Sequence, residues 1–137
     1  MSQLAIRDTL QNQVSTTLMP LVGVNVAYGN KDFNPKGLSA WCRFSFNPAT
    51  SDPLGKSKAI GDDERGFIQV SVYVKLNAPD YDNQQLTIID ELKKDFFYGA
   101  EIDDVDILEV TLNEGRKVES WWRRDTTINY SSFQSRG

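Results

Sequence analysis

Residues 64–76 are the most regular stretch of the chain, because two kinds of side chain alternate there without interruption. One set is uniformly apolar and comprises Ile68, Val70, Val72, Val74 and Leu76. The other set is half polar and half aromatic and comprises Phe67, Gln69, Ser71, Tyr73 and Lys75. A period of two residues predicts a β-strand with one face in a core. The chain is therefore expected to build on a sheet, and the second face of this strand needs an explanation.

Hydrophobic spacing elsewhere predicts two helices and four more strands. Ser2 can cap a first helix, whose apolar residues recur every four positions from Ile6 to Leu18. A second amphipathic helix is predicted within residues 81–98. Alternating or β-branched segments predict strands at residues 24–28, 39–46, 106–115 and 119–130.

The order α-β-β-β-α-β-β indicates one α+β domain over residues 1–137. We expect a mixed, mostly antiparallel sheet of about four to five strands, with two helices packed on one face. Residues 47–63 contain two prolines and two glycines with little periodicity, so they are expected to form a long loop. Residues 131–137 are expected to be a frayed tail.

The two faces of the expected sheet differ in character. The helix-facing side is expected to hold Cys42, Phe44, Val70, Val72, Val74, Leu108 and Val110. The outward side is expected to carry large aromatic and polar residues, namely Trp41, Arg43, Phe67, Gln69, Tyr73 and Trp121. No predicted helix remains to cover the outward side, and exposed apolar patches usually mark binding partners. The outward face is therefore a candidate interface.

Histidine is absent from the chain, and Cys42 is its only cysteine. The absence of histidine removes the commonest general base and excludes Ser-His-Asp and Cys-His mechanisms. Zinc, haem and iron–sulfur sites are poor fits for the same composition. Cys42 lies on the apolar face of a predicted strand, which indicates an inert buried thiol. We expect no enzyme, no catalytic residue, and no cofactor or metal.

Acidic residues cluster at 62–64 and 101–106. Clustered carboxylates can bind Mg²⁺, but the segment EIDDVD lacks the glycine and the terminal glutamate of a calcium loop. A solvated charged surface is the more common meaning of such clusters. Residues 80–106 carry nine acids and two bases (net −7), whereas residues 114–137 carry five bases and three acids (net +2). This asymmetry suits an assembly in which one surface meets a different surface.

The segment WWRRD at residues 121–125 combines aromatic residues with arginines. Such residues are enriched at protein–protein hot spots, and they can also stack bases and neutralise phosphates. We favour a protein interface for this segment. A plain structural role and nucleic-acid binding are the alternatives.

Four segments follow one another in a characteristic order: WCRFSF at 41–46, RGFIQVSVYV at 65–74, LTIIDELKKDFF at 86–97 and WWRRDTTINY at 121–130. Together with the N-terminal helix, they resemble the tail terminator proteins of long-tailed bacteriophages, also called tail completion or minor tail proteins. The resemblance covers residues 2–133.

The resemblance implies a structural virion protein, made in the host cytoplasm and located at the head-proximal end of the tail. Copies of the protein would form a ring, typically a hexamer, on the end of the tail tube. The ring would contact the major tail tube protein, stop tail polymerisation and present the interface for a head-completion or neck protein. DNA would pass through the ring without specific binding, and no membrane is involved.

The residues assigned to a subunit or tube interface are Trp41, Arg43, Phe67, Gln69, Tyr73, Trp121, Arg123 and Arg124. An acidic lumen would repel DNA phosphates, and Asp62, Asp63 and Glu64 are assigned to it. The nearest alternative function is a head-completion or neck protein. More remote alternatives are a metal-dependent enzyme that uses Asp62, Asp63, Asp103 and Asp104, and a nucleic-acid-binding module that uses Trp122, Arg123 and Arg124.

Overall fold

The computed structural model describes residues 2–21, 24–29, 32–53, 61–76 and 80–135. Within these residues there are two helices, α1 (Gln3–Leu18) and α2 (Tyr81–Asp95). The strands of the same residues are β1 (Val24–Tyr28), β2 (Ala40–Pro53), β3 (Gly61–Lys75), β4 (Glu101–Ile102), β5 (Val105–Leu112), β6 (Arg116–Val118) and β7 (Trp121–Ser135). As expected, Ser2 caps α1, because its side chain accepts a hydrogen bond from the Ala5 amide at 3.1 Å.

One seven-stranded sheet contains all of these strands, in the order β1-β2-β3-β7-β5-β4 with β6 beside β7. β1 runs parallel to β2, and every other described pairing is antiparallel. Strands account for 51% of the structure and curl into a half-barrel. The prediction of an α+β fold with about four to five strands and two helices on one face is therefore wrong. β4 and β6 were missed because strands of two and three residues are too short to show a period.

A long β2–β3 hairpin occupies most of the segment 47–63 that was expected to be a loop. β2 continues to Pro53, which lies opposite Asp62 in β3. Residues 54–60 of that expected loop lie outside the described residues. β1 pairs with β2 only as far as Phe44, so the rest of β2 is an edge strand among the described strands. Proline is tolerated on an edge strand because no ladder hydrogen bond is lost there.

β7 also extends further than expected and pairs with β3 up to Ser135, which lies opposite Gly61. The expected frayed tail is therefore strand over residues 131–135, while residues 136–137 lie outside the described residues. Ser132 helps to hold this end in place. Its buried hydroxyl donates a hydrogen bond to the Asp104 carbonyl oxygen at 2.9 Å.

The main core combines side chains of both helices with inward-facing side chains of the curled sheet. The helices contribute fully buried aliphatic residues, including Ile6, Leu10 and Val14 from α1 and Ile88, Ile89 and Leu92 from α2. Cys42, Phe44, Val70, Val72 and Val74 are buried in this core, as the alternation predicted. Each fully buried aliphatic side chain contributes about 1.5–3 kcal/mol, so this face anchors the fold.

β5 departs from the predicted inward face at one position. Val105 and Ile107 are buried in the main core and Val110 packs against it, but Leu108 does not belong to it. The pairing register of β5 with β7 shifts between Ile107 and Val110. Such a bulge adds one residue and exchanges the odd and even faces of the strand. The inward assignment of Leu108 was therefore wrong.

Gln85 fixes the position of α2 on the sheet. Its side chain is fully buried, and its amide nitrogen donates hydrogen bonds to the carbonyl oxygens of Val72 at 3.0 Å and Trp122 at 3.2 Å. Its amide oxygen accepts a hydrogen bond from Nε of Arg124 at 3.2 Å. A buried amide needs such partners, since an unsatisfied polar group is costly. The same contact draws the Arg124 side chain to the helix side of the sheet.

Candidate interface surfaces

A second buried cluster, separate from the main core, contains an aromatic pair. Trp41 in β2 lies opposite Tyr73 in β3, and their rings stack with centroids 4.0 Å apart and planes 5° from parallel. Phe33 and Trp121 enclose Trp41, with ring centroids at 5.0 Å and 6.0 Å. Only 6% of Trp41 and 7% of Tyr73 is exposed. The outer core, as we name it, consists of Ala27, Trp41 and Tyr73, with Phe33, Leu38 and Trp121 packed against it.

Two arginines extend the outer core. The guanidinium of Arg43 lies 5.6 Å from the ring centroid of Trp41, and that of Arg123 lies 5.5 Å from the ring centroid of Tyr73. Both distances are within the range of cation–π attraction. Arg43 also donates a hydrogen bond to the Gly29 carbonyl oxygen at 3.0 Å. These contacts fix both guanidinium groups over the aromatic pair.

Asp125 balances the charge beside Tyr73. Nε of Arg123 donates a hydrogen bond to its carboxylate at 2.7 Å, and Arg116 lies 3.8 Å away. Partial burial alone would raise the pKa of Asp125, but the hydrogen bonds from Arg123 and Ser71 and the two arginine charges outweigh it. The pKa of Asp125 is therefore held below its usual value. The group is an ordered ion pair and not a free charged surface.

The structure brings together five of the eight residues assigned to an interface: Trp41, Arg43, Tyr73, Trp121 and Arg123. Phe67 and Gln69 lie on the same side of β3, further along the strand, and both are half-buried. Arg124 lies on the helix side, against Gln85. Burial of Trp41 and Tyr73 inside the protomer leaves Phe67 and Gln69 as the more accessible part of the predicted outward interface. Their contact with another subunit stays a prediction.

The three acids assigned to a lumen have different surroundings. Glu64 is 4% exposed and accepts hydrogen bonds from Gln3 in α1 at 2.8 Å and from Ser51 in β2 at 2.7 Å. The buried carboxylate thus links α1 to the β2–β3 hairpin, and it does not form an open lumen surface in the protomer. Burial, with a smaller effect of the Glu64 charge, raises the pKa of the nearby Tyr130 to about 12.

Asp62 and Asp63 are half-buried at the start of β3. Asp63 accepts a hydrogen bond from Nε of Arg65 at 2.6 Å, and Arg65 is mostly exposed. A surface pair of this kind is worth little in stability, at about 0–1 kcal/mol. The assignment of Asp62 and Asp63 to a lumen stays a prediction.

An exposed aromatic pair at the end of α2 was not assigned to an interface from the sequence. Phe97 is 52% exposed and Tyr98 is 82% exposed. Gly99 follows with a φ of 89°, and its amide donates a hydrogen bond to the Ile107 carbonyl oxygen at 2.9 Å. A groove of about 480 Å³, the aromatic groove, is lined by Lys93, Phe96, Phe97, Tyr98, Glu109 and Val110. The run Phe-Phe-Tyr-Gly was the available signal, since only Phe96 of its three aromatics is buried.

Acidic side chains and the thiol of Cys42 are the candidate metal-binding or reactive groups of the described ranges. No group of three or more acidic, cysteine or histidine side chains there could hold a metal ion. Burial raises the pKa of the Cys42 thiol to about 12, so the reactive thiolate is not formed near neutral pH. None of the described helices has the length and apolar character needed to cross a membrane.

Comparison with known protein families identifies the family of this chain. Residues 5–130 match the family described as phage tail terminator protein, whose members are structural proteins of the phage tail. The chain belongs to the phage tail terminator protein family.

Two solved structures align with nearly the whole chain. One, whose name states no function, has a TM-score of 0.70 at 20% identity and covers 98% of this chain and 96% of its own. Another is the virion of a native gene transfer agent particle, with a TM-score of 0.46 at 14% identity and coverage of 96% and 94%. No match to the chain is found among curated proteins.

Proposed function

We propose that the protein assembles with copies of itself into a ring, a hexamer, on the head-proximal end of the tail tube. There it stops the addition of tube subunits and forms the surface to which a head-completion or neck protein binds. The observation that carries this proposal is the match of residues 5–130 to the tail terminator family. The role is structural, without catalysis, and its partners are the major tail tube protein, the neck protein and its own copies.

Exposed apolar surface in the protomer supports an assembly role. Phe97 and Tyr98 project from the end of α2, and Leu112 is 43% exposed close by in sequence to the groove residue Val110. Large exposed aromatics are unfavourable in water and are enriched at the centres of protein interfaces. A protomer with this surface gains stability when a partner covers it.

The charge of the chain supports passage of DNA without binding. Each copy carries a net charge of −4, so six copies carry 6 × −4 = −24. A ring of this charge repels DNA phosphates, because nucleic-acid binding relies on cationic side chains that neutralise them. Asp62 and Asp63 are the proposed acidic residues of the lumen.

The proposal is tested by the length of tails made without the protein. Cells that produce the phage with this gene deleted should release tails longer than wild type, and a plasmid copy should restore the length. Electron microscopy measures both. Tails of normal length that lack heads would instead identify a neck protein, and normal particles would refute a role in assembly.

A second measurement addresses the partner directly. Purified protein mixed with purified tail tubes should be seen at one end of each tube by negative-stain electron microscopy. Tubes that stay bare at all protein concentrations would contradict the proposed contact with the tube protein.

A further inference from the structure

Several stretches of strand edge are not covered by another described strand, and apart from the short strands β4 and β6 the main ones lie on β1, β2 and β5. β1 ends the strand order on one side and is paired only with β2. β2 lacks a second neighbour from Ser45 to Pro53 in the same described residues, because β1 reaches only Phe44. On the other side of the sheet, β4 covers β5 only at Val105 and Asp106. The outer edge of β5 is therefore open from Leu108 to Leu112.

The open edge of β2 carries features that prevent strand pairing. Pro48 and Pro53 lack the amide hydrogen that a partner strand would need. The pairing with β3 is irregular between Pro48 and Thr50, and Asp52 adds a charge. Natural sheets use prolines, bulges and charges in this way to block edges. This edge is closed to a further strand.

The edge of β1 lacks all three features, whereas the edge of β5 lacks only proline and is regular from Val110 to Leu112. β1 has the sequence VNVAY, without proline and without charge. The open part of β5 has the sequence LEVTL, without proline and with one charge at Glu109. Its bulge lies before Val110, so Val110–Leu112 remain regularly paired with β7. The β1 edge is five residues long, which is the usual length of a strand, and the regular part of the β5 edge is three residues long.

The aromatic groove lies directly beside the open edge of β5, since Glu109 and Val110 line it. Recognition by strand addition combines backbone hydrogen bonds along an edge with a pocket for side chains of the incoming strand. The β1 residues that pack against the main core, Val24, Val26 and Tyr28, are only partly buried. An incoming β1 would place such side chains against the exposed rings of Phe97 and Tyr98.

We propose that β1 of one copy adds to the open β5 edge of the next copy, so that the sheet continues from subunit to subunit. The two edges belong to opposite sides of one sheet, so the contact is head-to-tail, and such contacts form a ring when the rotation closes. This inference rests on the proposed ring assembly and adds the surfaces that join its subunits.

Three single lysine substitutions at exposed positions test the pairing. Asn25→Lys changes the β1 edge, Thr111→Lys changes the β5 edge, and Thr50→Lys is the matched control on the protected β2 edge. All three side chains are exposed, so each variant should fold, as checked by far-UV circular dichroism and the urea midpoint. A lysine within an edge opposes strand pairing there.

Native mass spectrometry of the full chain, over a range of protein concentrations, gives the expected outcomes. Wild type and Thr50→Lys form oligomers, whereas Asn25→Lys and Thr111→Lys alone remain monomers. Mixing these two variants restores one intact pair of edges, because the first keeps its β5 edge and the second keeps its β1 edge. The mixture should therefore give heterodimers and nothing larger.

Other outcomes overturn the inference. Oligomers of Asn25→Lys or Thr111→Lys like those of wild type, or a mixture that stays monomeric, would exclude β1–β5 pairing. A wild type that is monomeric at every concentration would also exclude self-pairing of these edges. The tail-length experiment is independent: overlong tails without the gene, together with oligomers of both edge variants, would keep the proposed function and reject the edge pairing. Tails of normal length without the gene, together with heterodimers in the mixture of the two variants, would reject the proposed function and keep the edge pairing.

Discussion

Replacement of Trp41 by alanine tests whether the outward aromatic residues form a core or a docking surface. Trp41 is 6% exposed and stacks on Tyr73 with centroids 4.0 Å apart. Loss of a buried tryptophan side chain costs about 3–5 kcal/mol. That figure includes about 0.5–1.5 kcal/mol for the ring pair and about 0.5–1 kcal/mol for the contact with Arg43. We expect Trp41→Ala to destabilise the monomer by about 3–5 kcal/mol.

Urea denaturation followed by far-UV circular dichroism measures this loss without relying on tryptophan fluorescence. With a slope of about 1–3 kcal/mol per molar urea, the midpoint should fall by about 1 M or more. The matched control is Tyr98→Ala, because Tyr98 is 82% exposed and its loss should change stability by no more than about 0.5 kcal/mol. A double-mutant cycle with Trp41→Leu and Tyr73→Leu should show a coupling of about 0.5–1.5 kcal/mol.

One result would refute the assignment of Trp41 to a core. If Trp41→Ala unfolds within about 1 kcal/mol of wild type and yet fails to bind tail tubes, the side chain serves a partner and not the protomer. The outward face would then be an interface, as the sequence predicted.

Three further outcomes are expected. Cys42 should not react with a disulfide reagent at pH 8 in the folded protein and should react fully in urea. Because the folded pKa of its thiol, about 12, exceeds the ordinary value of 9.0, the contribution of the buried thiol to stability should be complete below pH 9 and decline as the pH rises toward 12. Gly66→Ala should cost about 1–3 kcal/mol in urea denaturation, because its Cβ would lie 2.5 Å from the Asn47 carbonyl oxygen, and a value near zero would contradict that contact. Phe67→Glu should leave the urea midpoint near wild type and impair oligomer formation in native mass spectrometry, and unfolding of the monomer would show that Phe67 belongs to a core.

Prediction from the sequence was most reliable for elements that have a regular hydrophobic spacing and pack against one core. The alternation of β3 and the four-residue spacing in α1 correctly identified the residues that face the main core. These elements are long, and each buries one face against the same cluster. Local pattern and tertiary packing then agree, which is the condition under which periodicity is informative.

Prediction failed where long-range pairing decides the structure. Residues 47–53 look like a loop, because their prolines and polar residues suit an edge strand equally well, and only the pairing with β3 distinguishes the two. Leu108 was misplaced because a bulge leaves no mark in hydrophobicity. The hairpin strand and the bulge become visible only when the pairing between strands is known.

Burial of polar and aromatic groups was also invisible in the sequence. Glu64 stands in an acidic run that normally indicates solvent, but hydrogen bonds from Gln3 and Ser51 satisfy its carboxylate in the interior. Trp41 seemed uncovered because no helix was left for its face, whereas Phe33, from the segment between β1 and β2, provides the cover. In both cases the decisive partner is distant in sequence or lies in an irregular segment.

The strand registers place the acidic clusters of the sequence at one end of the sheet. Asp63 lies opposite Asp52 in β2, and Asp106 lies opposite Glu101 in β4. β7 joins these pairs, since it meets Asp63 at Phe133 and Asp106 at Ser131. In a ring joined through its sheet edges, every copy would present this end in the same direction. The acidic ends would then form one continuous surface of the ring, so that the acidic segments, which are far apart in the sequence, would lie on the same side of the assembly.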